Sequence, residues 1–505
     1  MTFKLSHIAA ATVAAVIASS ALADPQTPNR PLANYVSGAG VTDVYIAGSS
    51  AVDLALTKFI ANSCNANTLD TYRTDAGGKT YYLWTCETSN VAANGNFVLS
   101  SGNTKIAIHK NTNSSSDGVN GVANGAAALQ FLQVSDLTAA TDCSIPPQVV
   151  SATATIPSYN EYVCGTSAGN AGVGSLAQVT RFGFSDSEPK QFNSAVASQL
   201  TSAYPLTIVF GVPVTKVLRD ALQTSQGLTA GDESEAGMPS LTSAQLNQIY
   251  TGNFTSWSNL GVTLPGADNS VYLVRRSGGS GTTRAFDATF IGDICIPTAT
   301  VITPASTLVT TTIATQCNSA ANGGTKKLQA GTSDDMAACL SSFSQNGAVG
   351  AIGYLSTDYT PGTADGYRWI KVDGYAPKLL NVVDGKWKDW SEEALNYNKA
   401  TPLAGDDASF YATIKATSSN ASLLTQIAQN LPQTTSGMWT GGVLGALPNK
   451  QNVTGWGLAA GSSLTVPRTD ASVLAYPANA ATRANSTSGY NLCNVPAPAL
   501  GYAAQ

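Results

Sequence analysis

Charged residues are scarce in this chain of 505 residues. Asp, Glu, Lys and Arg make up 11% of the sequence, and the formal net charge is −5. A protein that binds a nucleic acid backbone needs a basic stripe, usually interleaved with aromatic side chains, and the sequence has none. We therefore expect no nucleic acid partner. The surface is made polar instead by Ser, Thr, Asn and Gly.

Histidine and closely spaced cysteine are also lacking. The chain has two histidines, His7 and His109, and no CxxC motif, so neither a metal site nor a cofactor is expected. Its eight cysteines are an even set that indicates disulfides in an oxidising compartment. The local pairs Cys64–Cys86 and Cys143–Cys164 are the simplest candidates, although the sequence does not fix the connectivity.

Long apolar runs are confined to the N-terminus. There, Lys4 precedes an apolar run over 8–17, and the small residues at 21–23 form a cleavage site. We predict a signal peptide over residues 1–23 and a periplasmic or secreted mature chain, with no lipid anchor because no cysteine follows the site. No later run reaches the roughly 20 apolar residues of a membrane helix, so no membrane span is expected.

Patterns typical of enzymes are weak. The segment GTSAG at 165–169 matches a nucleophile elbow, but it follows Cys164 in a polar loop instead of joining a strand to a helix. His109, the one histidine after the signal peptide, precedes it in the chain, which is the wrong order for such a hydrolase. The acidic pairs Asp334–Asp335 and Glu392–Glu393 are interpreted as helix caps or solvated faces. We predict that the protein is not an enzyme.

Short apolar runs alternate with helix-like segments, which predicts an α/β fold. The strand-like runs include 44–47, 106–108, 206–212 and 271–274, and the helix-like segments include 52–60, 217–222 and 282–290. The length suggests at least two domains, since single cores stop growing at about 250–300 residues.

The segment RRSGGSGTTRAF at Arg275–Phe286 is a candidate oxyanion loop between an apolar run and a helix. Its glycines allow close backbone approach, Ser280 and Thr282 can donate hydrogen bonds, and Arg276 offers a fork suited to two oxygens of one anion. The alternative is a flexible Gly/Ser-rich turn.

Three more segments end apolar runs with polar groups. Ser50 and the backbone of Ala51 lie in AGSSA, Ser115 lies in SSDG, and Asp186 ends FGFSD. Taken singly, each is a helix cap or a polar loop. A carboxylate beside a bound anion favours an anion that carries a proton, as phosphate does near neutral pH. It would reject sulfate, which carries none.

Together with LTSAQLNQIYTGNFTSWSNLG and GAVGAIGYLS, these motifs resemble the phosphate-binding proteins of phosphate ABC transporters, in the periplasmic substrate-binding superfamily. The resemblance implies a two-lobed α/β fold of the Venus flytrap type, enlarged by loop insertions, with a ligand cleft between the lobes. It implies phosphate contacts from Ser50, Ala51, Ser115, Asp186, Arg276, Ser280, Gly281 and Thr282.

The sequence departs from the family pattern at three positions. Serine stands at position 50 and alanine at 51, where the family usually has threonine and phenylalanine. Gly278 stands where many members have an aspartate that pairs with the arginine.

We expect residues 24–210 to form the first part of lobe I with an insertion at about 120–178, 211–354 to form lobe II, and 355–505 to return to lobe I and add a C-terminal extension. The expected function is that of an exported, monomeric solute-binding protein that captures inorganic phosphate for uptake, with ABC transporter membrane subunits as partners. The alternative is a secreted or surface structural protein of the same fold that binds another oxyanion or no ligand.

Overall fold

The computed structural model of the protein describes residues 32–38, 40–76, 79–89, 97–137, 143, 147–152, 156–164, 177–266, 268–292, 306–308, 313, 315–318, 326–347, 349–357, 359, 361–378, 381–382, 386–418, 423, 443–445, 481–482, 484–485, 489–490 and 497–498. The signal peptide predicted at 1–23, the GTSAG segment and most of the predicted C-terminal extension lie outside these residues.

The described part of the chain contains both helices and strands. The helices are α1 Asp53–Ser63, α2 Asp117–Asn120, α3 Ser194–Ala197, α4 Lys216–Ser225, α5 Ser243–Tyr250, α6 Gly281–Phe286, α7 Ser333–Gly347 and α8 Gly405–Ser418. The strands are β1 Val41–Gly48, β2 Asp70–Ala76, β3 Lys79–Glu87, β4 Lys105–Thr112, β5 Leu129–Gln130, β6 Gln148–Val150, β7 Tyr159–Val163, β8 Ala177–Gln178, β9 Phe182–Ser185, β10 Leu200–Gly211, β11 Pro213–Thr215, β12 Ser240–Leu241, β13 Tyr272–Arg276, β14 Ser306–Leu308, β15 Lys327–Ala330, β16 Ala351–Ile352, β17 Leu355–Ser356, β18 Tyr367–Trp369, β19 Lys371–Val372, β20 Trp390–Asn398, β21 Val443–Gly445, β22 Ala481–Thr482, β23 Ala484–Asn485, β24 Gly489–Tyr490 and β25 Ala497–Pro498.

The larger sheet has eleven strands within the described residues, in the order β17-β10-β20-β9-β1-β4-β3-β2-β7-β6, with β21 also paired to β10. Its centre is parallel, since β1 pairs in parallel with both β4 and β9. Strands β1 and β4 are buried along most of their length, as expected where both faces of a parallel sheet are covered. The helices α1 and α8 pack together against this sheet and share its hydrophobic core. We call this sheet and its helices the first lobe.

The second lobe is built on a six-stranded sheet in the order β14-β15-β13-β16-β11-β18. The chain enters it where β10 of the first lobe leads directly into β11, and its core includes side chains from α4, α5 and α7. The two-lobed α/β fold predicted from the sequence is confirmed.

At residue 355 the chain returns to the first lobe only briefly. The strand β17 pairs with β10, but β18 then pairs with β11 of the second lobe, and only β20 runs back along β10 and β9. The boundary expected at 354 is therefore wrong for Tyr367–Trp369, which belong to the second sheet. The apolar alternation of so short a strand does not reveal which sheet it joins.

Three disulfides occur among the described residues. Cys64–Cys86 and Cys143–Cys164 match the two proposed pairs, and Cys317–Cys339 is a third. The first ties the end of α1 to β3, and the second lies in the segment expected as an insertion, which adds β6 and β7 to the edge of the larger sheet. None of the described helices combines the length and the apolar character needed to cross a bilayer.

We predict that Phe410→Ala will lower the free energy of unfolding by about 3–5 kcal/mol. The Phe410 ring is fully buried and lies 5.5 Å from the Phe97 ring and 5.4 Å from the Phe182 ring, measured between centroids, so its loss leaves a cavity between α8 and the larger sheet. Urea unfolding measures the change.

The control is Tyr375→Ala, at an aromatic position that is 40% exposed, for which a change within about 0.5 kcal/mol is expected. Equal stability of the two variants would show that α8 does not belong to the core of the first lobe.

Candidate functional site

The polar segments identified in the sequence follow the ends of four strands. Ser49 and Ser50 follow β1, Ser115 follows β4, and Asp186 follows β9, so all of these lie at the carboxyl edge of the parallel part of the larger sheet. The loop between β13 and α6 faces them from the second lobe. Ligands of open α/β sheets bind at the carboxyl ends of strands, and this cleft has that position.

The Ser115 hydroxyl joins the two lobes. Its oxygen accepts hydrogen bonds from the backbone N–H of Asp186 and from that of Gly281 in the second lobe, each at 3.2 Å. Beside it, the N–H of Ser116 donates to the Gly279 carbonyl at 3.0 Å. The lobes therefore touch directly along the oxyanion loop.

The Asp186 carboxylate lies at the same contact and is 3% exposed. The Ser49 hydroxyl donates to its Oδ1, and the Thr282 hydroxyl of the second lobe donates to its Oδ2 at 3.4 Å. The Ser49 oxygen in turn accepts the N–H of Ala51 at 3.1 Å. Asp186 thus receives donors from both lobes, as a buried carboxylate requires.

Arg276 ends β13 and is buried. Its Nη1 donates to the Ser333 hydroxyl at the start of α7 at 2.7 Å, and its backbone N–H donates to the Tyr354 hydroxyl at 2.9 Å. Its Nε is buried without a hydrogen-bond partner among the described residues. Burial lowers the pKa of the Arg276 guanidinium, an effect that nearby groups including Asp186 oppose.

Two other expected contacts, Ser280 and Ser50, do not take part in this hydrogen-bonded contact between the lobes. The Ser280 hydroxyl accepts the N–H of Thr283 at 3.4 Å and so caps α6. Ser50 is half-buried and borders a cavity of about 110 Å³ between the lobes, which is also lined by Arg73, Ser333 and Asp334. The structure thus brings Ser115, Asp186, Gly281 and Thr282 into direct contact and places Ser50 at the border of the cavity.

Sequence reasoning missed a buried lysine below the AGSSA loop. The fully buried ammonium of Lys110 donates to the Ser49 carbonyl at 2.6 Å, to the Thr112 hydroxyl at 2.7 Å and to the Asp53 carboxylate. Burial raises the pKa of Asp53, and Lys110 opposes that shift. The position of Lys110 at the end of the run KIAIHK was the available signal, because a lysine in a buried strand needs a partner.

Sequence reasoning also misjudged Glu392–Glu393, which is not a solvated face. Both residues lie in β20, with 1% and 0% of their surface exposed, respectively. The other acidic pair is split: the Asp335 carboxylate accepts the N–H of Thr332 at the start of α7, whereas the Asp334 side chain is 54% exposed. Adjacent acidic residues usually face solvent, which is the basis of the prediction, but the long buried strand β20 overrides that preference here.

The contacts of His109 are those of a residue that stabilises the fold. Its ring is buried and stacks on Tyr45, with Nδ1 2.7 Å from the Leu132 carbonyl and Nε2 3.1 Å from Asp43. It lies within β4, away from the oxyanion loop, and both ring nitrogens have protein partners. It therefore has no nitrogen left to activate a serine nucleophile in this arrangement.

Residues 176–406 match the PBP superfamily domain. The matched range contains Asp186, the oxyanion loop and β20. The resemblance to phosphate-binding proteins that the motifs predict is confirmed by this match and by a curated relative, the phosphate-binding protein PstS of Bacillus subtilis (strain 168). That protein is 27% identical over 190 residues, which cover 37% of this chain and 50% of the relative. The chain therefore matches about half the length of that relative.

Solved structures of similar proteins superpose weakly. A putative phosphate ABC transporter substrate-binding protein with bound phosphate, from Clostridium perfringens, has a TM-score of 0.40 at 15% identity, covering 76% of this chain and 98% of that one. PstS from Borrelia burgdorferi has a TM-score of 0.33 at 11% identity, covering 77% and 97%. At such TM-scores the superpositions do not bear on the ligand.

We predict that Gly281→Ala will push the lobes apart. An added Cβ would lie 2.3 Å from the Asp186 Cβ and 2.5 Å from the Ser115 Oγ, which is closer than atoms pack. The expected results are a larger radius of gyration in small-angle X-ray scattering and a loss of about 1–3 kcal/mol in stability.

Gly278→Ala is the matched control in the same loop. Its added Cβ would meet only the end of the Arg284 side chain, at 3.3 Å, so the scattering of the wild type should be retained. If both variants scatter like the wild type, the lobes do not meet at Gly281 in solution.

Proposed function

We propose that this protein is an exported solute-binding protein that captures inorganic phosphate in the cleft between its lobes. The observation that supports this most is the Asp186 carboxylate, which lies between hydroxyl donors of both lobes and near the buried Arg276. Hydroxyl and backbone donors, one permanent cation and one acceptor are together the groups that a protonated oxyanion needs.

The proposed contacts come from both lobes. Ser50, the Ala51 backbone, Ser115 and Asp186 would serve from the first lobe, and Arg276, Gly281 and Thr282 from the second, with Ser280 fixing the loop as the cap of α6. An anion held between Ser115 and Gly281 would replace the hydrogen bond that now joins them. Binding and the relative position of the lobes are therefore coupled, since only apposed lobes offer donors from both sides.

Asp186 would select the anion. Its carboxylate can accept the proton that phosphate carries near neutral pH, whereas sulfate would place anionic oxygens against it with no hydrogen between them. This is a reason to propose phosphate over sulfate.

Export, uptake and partners are part of the same proposal. The disulfides of the described residues suit an oxidising compartment, in agreement with the signal peptide expected at 1–23. A monomer that delivers phosphate to ABC transporter membrane subunits, without catalysis or a cofactor of its own, would account for the arrangement.

The alternative is a two-lobed structural protein that binds no anion. One observation favours it: the Ser115 hydroxyl and the Gly281 N–H, both proposed as ligand contacts, satisfy each other directly. Calorimetric titration with phosphate, sulfate and arsenate distinguishes the two functions, because a structural protein would give no heat with any of them.

We predict that the wild type binds phosphate in preference to sulfate and that Arg276→Ala weakens phosphate binding by about 2–5 kcal/mol, because a buried charge pair loses one member. Asp186→Asn should bind sulfate measurably, since the repelling charge is gone. Calorimetry at neutral pH gives both affinities.

Arg181→Ala is the control for Arg276→Ala. Arg181 pairs with Asp407 and with two loop carbonyls at the surface, so its loss should leave anion affinity unchanged. Phosphate affinity that is the same in Arg276→Ala and Asp186→Asn as in the wild type would place the site elsewhere.

A further inference from the structure

A second buried carboxyl group lies beside Asp186. The strands β20 and β9 pair antiparallel, with Ala394 opposite Ser185 and Leu395 opposite Phe184. One step further along this register, Glu393 lies opposite Asp186, and residues directly opposite each other project to the same face. The two segments stay together at this point, because the Ser391 hydroxyl donates to the Asp186 carbonyl.

The Glu393 carboxyl group is closed off from solvent, and burial disfavours a charge there. It is 0% exposed, and neither of its carboxyl oxygens has a hydrogen-bond partner among the residues described. Two carboxylates that share a dry site cannot both ionise at ordinary cost. Burial raises the pKa of Glu393 well above its usual range, the Asp186 charge raises it further, and Lys110 and Ser49 oppose the shift.

Two cations whose charges act on this pair, Lys110 and Arg276, hydrogen-bond to other groups. Lys110, from β4, is hydrogen bonded to the Asp53 carboxylate. Arg276, from the second lobe, donates to the Ser333 hydroxyl and interacts electrostatically with Asp186. Neither bonds to Glu393, so a proton is the remaining way to neutralise it.

We propose that Glu393 carries a proton that it shares with the Asp186 carboxylate through a hydrogen bond, and that this shared proton controls anion capture in the cleft. With Glu393 protonated, its O–H can donate to Asp186, and the pair carries one negative charge. Oδ2 of Asp186, on the side of Thr282, is then left to accept the proton of the anion. Loss of the shared proton puts a second negative charge beside the anion and weakens its binding. The role in anion capture rests on the proposed function, whereas the shared proton does not.

The test compares the wild type with Glu393→Gln, which keeps the shape and a hydrogen-bond donor but cannot ionise. Both proteins are titrated with inorganic phosphate from mildly acidic to mildly alkaline pH. The ratio of their affinities cancels the ionisation of phosphate itself. Above the pKa of Glu393, the wild type should lose affinity relative to the variant by about tenfold per pH unit.

Glu392→Gln is the matched control. Glu392 is equally buried in the same strand, but neighbouring residues of a strand point to opposite faces, so it does not face Asp186. Its affinity should follow that of the wild type at every pH. A ratio of wild type to Glu393→Gln that does not change with pH would overturn the role of the proton in anion capture.

A measurement without phosphate tests the shared proton separately. A carboxyl group with a raised pKa in the folded state makes the protein less stable as pH rises above the unfolded value, until the folded pKa is passed. The melting temperature of the wild type should therefore fall relative to that of Glu393→Gln over that range. Asp186→Asn, which removes the partner charge, should show a smaller fall.

The outcomes separate the two proposals. A fall in relative stability with no phosphate binding by any of the proteins would leave the shared proton standing and overturn phosphate capture. If the melting temperatures of the wild type and Glu393→Gln change with pH in the same way, Glu393 takes up no proton on folding, and the inference is wrong.

Discussion

The interaction on which the site depends is the burial of the Asp186 carboxylate where the two lobes meet. A carboxylate removed from water must receive hydrogen bonds from the protein, and a strand end cannot supply them alone. Ser49 supplies one from the neighbouring loop, and Thr282 supplies one from the other lobe. The position of Asp186 therefore ties the end of β9 to the loop after β1 and to the start of α6.

This contact limits what the surrounding chain can be. Gly48 has a φ of +114°, and a Cβ there would lie 2.0 Å from the Phe184 carbonyl oxygen, so the turn that presents Ser49 requires glycine. Gly281 in the second lobe also leaves no room for a Cβ, which would lie 2.3 Å from the Asp186 Cβ. Lys110 holds the Ser49 carbonyl from below, and its own charge is balanced by Asp53. The polar loops of the sequence are thus fixed by groups inside the sheet.

The two lobes and most of the contact groups followed from the family resemblance that the motifs carry. Local strand, turn and helix signals predicted the α/β fold, because they lie within a few residues of one another. The partners that complete the site were missed for the opposite reason. Ser333 reaches Arg276 across 57 positions, and Glu393 reaches Asp186 only through the register of β20 on β9. Nothing in the pair Glu392–Glu393 shows that the strand carrying it is covered on both faces. The late return of the chain after β18 depends on strand pairing in the same way.

The groups that close the cleft are also those proposed to hold an anion, which makes affinity a difference between two sets of hydrogen bonds. A ligand between Ser115 and Gly281 gains donors but gives up the bond that joins them. Selectivity then follows less from the number of donors than from Asp186, the one acceptor in the set. An acceptor remains useful only while its own charge is tolerated in the dry contact. That condition connects the proton on Glu393, deep in the first lobe, to the choice of ligand at its surface.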